Sequence, residues 1–205
     1  MSNKIIFISG TPGTGKTTIA TRLNSILSKT HDCKLIKINE LAIDYNLIHG
    51  EDEEKGYKIV DMIKVDEKIN EIFDSFFKDK NTSKNSKNPK IAIVEGHLSH
   101  LCSIDSIDSN ANVYCKVIVL RLNPDILKNR LELRGYNKNK IHENLEAEAL
   151  AVCSVEAYEN HKDDVHEIDT SDLAVEDVLN IVNDILFDKK QYPLGNVDFL
   201  NWVLS

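Results

Sequence analysis

Short apolar runs alternating with amphipathic segments along 205 residues predict a single α/β domain, 1–205, built on a mostly parallel sheet flanked by helices. Two observations carry that expectation. The strands expected at 4–9, 91–94 and 113–120 each hold a continuous apolar run, at 5–8, 91–94 and 117–120, the pattern of parallel strands covered on both faces. The segments between and after them space their apolar residues as helices do.

In chain order, Ile5, Ile6, Phe7 and Ile8 form the first strand, and a glycine-rich segment follows. Ile19, Leu23, Ile26 and Leu27 then give residues 17–28 a helical stripe. A short strand is expected at 33–38, before an acidic, irregular stretch at 39–57. Val65, Ile69, Ile72, Phe73 and Phe76 predict an amphipathic helix over 65–77. Residues 80–89, dominated by Lys, Asn and Ser, read as an exposed loop, and 103–112 as a second polar segment. Beyond the strand at 113–120, Pro124 suits the first turn of a helix that Gly135 interrupts. Further helices are expected at 138–160 and 174–187. The turn at Tyr192–Gly195 and the apolar segment 199–204 are expected to dock on the core.

Bulk properties exclude several classes. A formal net charge of −8 argues against a broad nucleic-acid-binding face, because such faces are basic. No apolar run is long enough to span a bilayer, and the first residues lack a secretory signal, so the expected location is the cytoplasm. The four cysteines, Cys33, Cys102, Cys115 and Cys153, have no metal-ligand spacing and read as buried, reduced thiols.

The segment from Gly10 to Thr17 fits G-x-x-x-x-G-K-[ST] at every fixed position and falls between a buried strand and an amphipathic helix. This is a P-loop. Small residues at Gly10, Gly13 and Gly15 let successive backbone N–H groups curl around a phosphate. The following helix adds its unsatisfied N–H groups and the positive end of its dipole. Lys16 would reach the β- and γ-phosphates of a nucleoside triphosphate, most simply ATP, and the Thr17 hydroxyl would ligate Mg²⁺.

Such a site also needs an acid at the end of a neighbouring strand. Glu95 directly follows the run at 91–94, so it is the expected metal-organising carboxylate, and Gly96 would leave room for a ligand. His97 either orients an attacking water or phosphate or hydrogen-bonds at a strand end; His100 is the weaker candidate. Transfer of a phosphoryl group needs positive charge around it. Arg130 and Arg134 share a helical face, and Arg121 follows a strand at the ligand-bearing edge of the sheet. Arg134 is the expected nucleotide contact. For Arg130 and Arg121, ion pairing with Glu132 or Asp125 stands as the alternative.

These residues bring a family into view. Gly10–Thr18, the run Glu95-Gly-His-Leu-Ser-His100, the run Arg130-Leu-Glu-Leu-Arg-Gly-Tyr136 and the segment Lys140 to Glu148 occur in that order. Together they resemble the adenylate kinase isoenzyme six family in its archaeal form, over nearly the whole chain. The resemblance implies a nucleoside monophosphate kinase-like fold, with a short monophosphate-binding segment near 33–56 and a short lid near 133–143. It implies transfer of the terminal phosphate of ATP to AMP or related monophosphates, with Mg²⁺, and ATP hydrolysis besides. It also implies a part in late maturation of the small ribosomal subunit, through transient association with the pre-ribosome and an S-eleven ribosomal protein. An assembly ATPase that releases that protein is the rival reading.

By position, Gly13, Gly15, Lys16, Thr17, Thr18 and Arg134 would contact ATP, and Lys162 aligns with a further nucleotide contact. Eukaryotic members carry Asp at the position of Glu95 and an aromatic residue at that of Gly96. The segments at 80–89 and 103–112 exceed the family's usual length and read as surface insertions. Residues 39–57 contain no arginine, whereas larger adenylate kinases hold the AMP phosphate with arginines. Charge on that side would then come from Arg121 or Arg130. The acids at 51–54 read as a solvated face.

Overall fold

A computed structural model of the chain describes residues 2–52, 57–78, 89–104, 107 and 112–204. The chain opens with β1 (Asn3–Ser9), α1 (Lys16–Leu27), β2 (Asp32–Lys37) and α2 (Ile38–Asp44). A small unit follows, β3 (Ile48–Asp52) and β4 (Tyr57–Val60), paired antiparallel. Next come α3 (Met62–Lys78), β5 (Lys90–Glu95) and β6 (Val113–Arg121). The remainder is α4 (Pro124–Leu133), α5 (Lys138–Ala149), α6 (Val152–His161), β7 (Val165–Asp169) and α7 (Val175–Leu186).

Five strands form one sheet in the order β2-β5-β1-β6-β7, and every neighbouring pair is parallel. Alternation along each strand divides the core between two faces. Ile6 and Ile8 of β1, with Ile118 and Leu120 of β6, pack against Ile19 and Leu23 of α1 and Val178 and Val182 of α7. Ile5 and Phe7, with Val117 and Val119, face Val65, Ile69 and Phe73 of α3 and Ala157 of α6. Both faces of β1, β5 and β6 are covered, and the apolar runs at 5–8, 91–94 and 117–120 follow from that. A third cluster, Leu122, Leu127, Leu131, Ile141 and Leu145, joins α4 to α5. Trp202 packs on it and donates its indole N–H to Asp125 Oδ1 at 3.2 Å, so the tail docks as expected.

Two expectations fail, and one strand was not foreseen. The helix expected at 138–160 is two helices, because Ala151 adopts the left-handed conformation (φ 56°) and caps α6. Periodicity cannot register a one-residue break whose flanks are both helical. The stretch at 39–57 is not irregular where described: it holds most of α2, all of β3 and the first residue of β4. β7 escaped notice because its interior holds His166 and Glu167, both buried, between Val165 and Ile168. The loop at 80–89, Pro89 apart, most of 103–112 and the side chains of the acids at 51–54 lie outside the described residues. Among the described residues no helix is long and apolar enough to cross a membrane.

Candidate active site

The C-terminal ends of the parallel strands converge on the phosphate loop, where an open α/β sheet presents its ligand crevice. Gly10 leaves β1 at φ 129°, and a Cβ there would stand 2.3 Å from the Leu120 carbonyl oxygen. The residue type is set by the close pass of the loop against β6. Gly10 is not among the residues lining the cleft, and its residue type answers to this packing. Gly13 and Gly15 do line it. Gly15, at φ 101°, precedes α1, and a Cβ there would meet nothing within 4 Å, so the mouth of the loop is open.

Lys16 begins α1 and is buried, with Nζ donating to the Thr11 carbonyl oxygen at 2.9 Å. Burial pushes its ammonium down to about 8, and the carboxylate of Glu95 only partly opposes that. Glu95 ends β5, paired in register with Ile8 and Lys37. Thr17 Oγ1 donates to its two carboxylate oxygens, at 3.1 and 3.2 Å. Burial holds the Glu95 carboxyl above its usual range, countered by Thr17 and then Lys16. The hydroxyl and carboxylate form an all-oxygen donor pair, the ligand type a hard divalent cation takes. The residues therefore fit Mg²⁺.

His97 also lines the cleft, and burial followed by Lys16 lowers its imidazole to about 4, so the ring is neutral at pH 7. His100, by contrast, is fully buried: Nδ1 lies 2.6 Å from Ser9 Oγ and Nε2 lies 2.9 Å from Glu156 Oε2. It bridges β1 to α6 as a structural group. Gly96 lines the cleft, and a Cβ there would stand 3.0 Å from the Ile38 side chain, so its residue type also answers to that packing.

The arginines divide sharply. Arg134 lines the cleft from the turn after α4, beside Tyr136. Arg130 donates to the Gly13 carbonyl oxygen at 3.1 Å and so braces the phosphate loop. Arg121 contradicts the expectation of a ligand contact. It is 1% exposed and ion-paired to Glu148 and Glu167. Lys162 is exposed over the Tyr158 ring and takes no part in lining the cleft.

The cleft has a volume of about 910 Å³ and a wall that sequence reasoning missed. Ala42 and Ile43 of α2, Ile48 of β3 and Ile59 and Val60 of β4 form an apolar face, with Asn39 beside it. Ile43 and Ile59 are 58% and 51% exposed. The aliphatics that flank the acidic run at 51–54 were the available signal. Cys153 and Glu156 of α6 also line the cleft, so Cys153 is not a core thiol, although burial raises it to about 11.

Comparison with known proteins agrees with this geometry. A family model described as an AAA domain matches residues 6–151. A protein of Methanothermobacter thermautotrophicus named "Putative adenylate kinase" is 38% identical over 98% of this chain and 100% of its own length. One of the same name from Methanocaldococcus jannaschii is 37% identical over 95% of this chain and 92% of its own. The crystal structure of APE1195 superposes with a TM-score of 0.55 at 16% identity, covering 91% of this chain and 96% of that one. At that identity it speaks for the fold alone.

Proposed function

The chain belongs to the P-loop nucleotide kinase family of these archaeal relatives, and on that premise we propose that it transfers the terminal phosphate of ATP to AMP or a related nucleoside monophosphate. One observation carries the reading. A single cleft has a charged wall on the phosphate loop and an apolar wall on α2 and the β3–β4 pair. A hydrolase needs only the first; a kinase needs a place for a second base.

Gly13, Gly15, Lys16, Thr17 and Thr18 would hold the triphosphate, with Lys16 moving from the Thr11 carbonyl oxygen onto the β- and γ-phosphates. Mg²⁺, held by Thr17 and Glu95, would neutralise phosphate charge there. The segment near 33–56 would seat the acceptor, and Arg134, on the lid near 133–143, would close over the γ-phosphate. An oxygen of the acceptor phosphate attacks the γ-phosphorus, the bond to the β-bridging oxygen breaks, and two nucleoside diphosphates result. The attacking oxygen is already ionised, so no general base is required. Positioning and charge neutralisation supply the rate.

Hydrolysis is the second reading, favoured by His97. A neutral imidazole in the cleft can accept a hydrogen bond from water, and Glu95 stands two residues away in the chain. Cytoplasmic assembly of the small ribosomal subunit, with hydrolysis releasing an S-eleven protein, rests on the family resemblance. The test is ADP formation from ATP with and without AMP, for wild type and His97→Ala. The kinase reading expects AMP to accelerate turnover and yield two ADP per event; an AMP-independent rate would end it. The water-positioning role expects His97→Ala to lose AMP-independent hydrolysis selectively.

A further inference from the structure

The acceptor side poses an electrostatic problem that the fold resolves within itself. A monophosphate brings about two negative charges into a cleft that already holds Glu95. Of the four arginines, Arg22 pairs with Glu176, Arg121 with Glu148 and Glu167, and Arg130 braces Gly13. Only Arg134 lines the cleft, on the wall opposite α2 in chemistry, with Lys140 near it over the Tyr136 ring. Among the described residues, the apolar wall contributes no cation of its own.

Among the described residues, one cation stands beside the reaction centre, next to the lining of the cleft and not part of it. Lys37 is the last residue of β2 and pairs in register with Glu95, the last residue of β5. Adjacent strands lie about 4.8 Å apart, so the stems of Lys37 and Glu95 are immediate neighbours at the ligand-bearing edge. Two residues on, Asn39 lines the cleft. The Lys37 side chain is 27% exposed, and its Nζ donates to Glu40 Oε1 at 2.7 Å. Glu40 is itself 65% exposed, and an exposed ion pair of this kind is a weak tie, readily exchanged for a dianion.

We propose that Lys37 holds the phosphate of the acceptor nucleotide, with Glu40 occupying its ammonium until the acceptor arrives. The assignment rests on the kinase reading and adds the residue that the arginine-free segment leaves wanting. A lysine is a point charge without the two-pronged geometry of a guanidinium, so the acceptor's position comes from the apolar wall and its charge balance from Lys37.

The test is calorimetric titration of AMP, without ATP, onto wild type, Lys37→Ala, Lys37→Arg and Glu40→Gln, with thermal melts to confirm folding. Lys37→Ala should weaken AMP roughly tenfold, as expected for loss of a charge-assisted contact, and leave ATP affinity within about twofold. Lys37→Arg should restore most of the loss. Glu40→Gln should tighten AMP by roughly two- to threefold by freeing the ammonium. AMP affinity unchanged in Lys37→Ala, or AMP and ATP weakened together, overturns the assignment. Lys37-dependent AMP binding without AMP-dependent ADP formation would sink the kinase reading and leave the site standing. A wild type that binds no AMP would remove both.

Discussion

At the end of β6, Arg121 lies between two glutamates. Nε donates to Glu148 Oε1 at 2.8 Å, NH2 donates to the Glu148 carbonyl oxygen at 2.7 Å, and NH1 pairs with Glu167. Both acids have further donors: Leu122 N–H on Glu148 at 3.0 Å and Ser154 Oγ on Glu167 at 2.7 Å. On the other side of β1, Lys16 and Glu95 are also taken out of water, but their protein partners are a carbonyl and a hydroxyl. The two clusters are alike in burial and unlike in satisfaction. The first is closed, with every charged group hydrogen-bonded inside the fold. The second is left short of hydrogen-bond partners, and burial displaces the ionisation of both its groups. Charge buried and fully answered serves the fold, whereas charge buried and partly answered is available to a ligand.

Breaking the closed cluster should have the largest effect. Arg121→Ala strands two buried carboxylates and is expected to destabilise the fold by about 3–5 kcal/mol in denaturant unfolding. Wild-type stability in that variant would show that the cluster is not the structural tie described. Lys16→Ala should act the other way round. Turnover is expected to drop on the order of 10²–10³-fold, the cost of removing one preorganised electrostatic donor. The melting temperature should hold or rise, since a desolvated charge has gone.

Proton linkage sharpens the contrast further. The folded Lys16 value of about 8 lies below its ordinary 10.5. The unfolded chain therefore binds more proton between those values, and ligand-free stability should rise with pH across that window. Phosphates restore the ammonium, so ATP binding at roughly pH 9 should take up a proton. Calorimetry in two buffers of different ionisation enthalpy measures it, and Lys16→Met should abolish the uptake. The smallest effect belongs to a surface pair. Arg22 and Glu176 are 53% and 70% exposed, so Arg22→Ala should change stability by less than about 1 kcal/mol.

Much of the site was legible in the residues because its chemistry is local. Gly13 to Thr18 is one continuous stretch, and its neighbours, a buried strand and a helix, follow directly in the chain. Glu95 could be placed because a strand end is a position that an apolar run reveals. Arg121 misled for a related reason. It too sits at a strand end, but its partners are 27 and 46 residues away, on α5 and β7. No local pattern carries that information. The apolar wall was missed because Ile43, Ile48, Ile59 and Val60 come from three elements and form a surface only once α2 and the β3–β4 pair are in place.

What the sequence determined by itself is the parallel α/β layering, the phosphate loop and the identities of Lys16, Thr17 and Glu95. Those depend on periodicity and on backbone geometry that neighbouring residues impose. Only the tertiary structure decided which charges are spent on the fold and which remain for a ligand. That division depends on who meets whom across the sheet: Arg121 with Glu148 and Glu167, Arg130 with Gly13, and Lys37 beside Glu95. Such meetings are set by strand register and helix packing, which act between residues far apart in the chain.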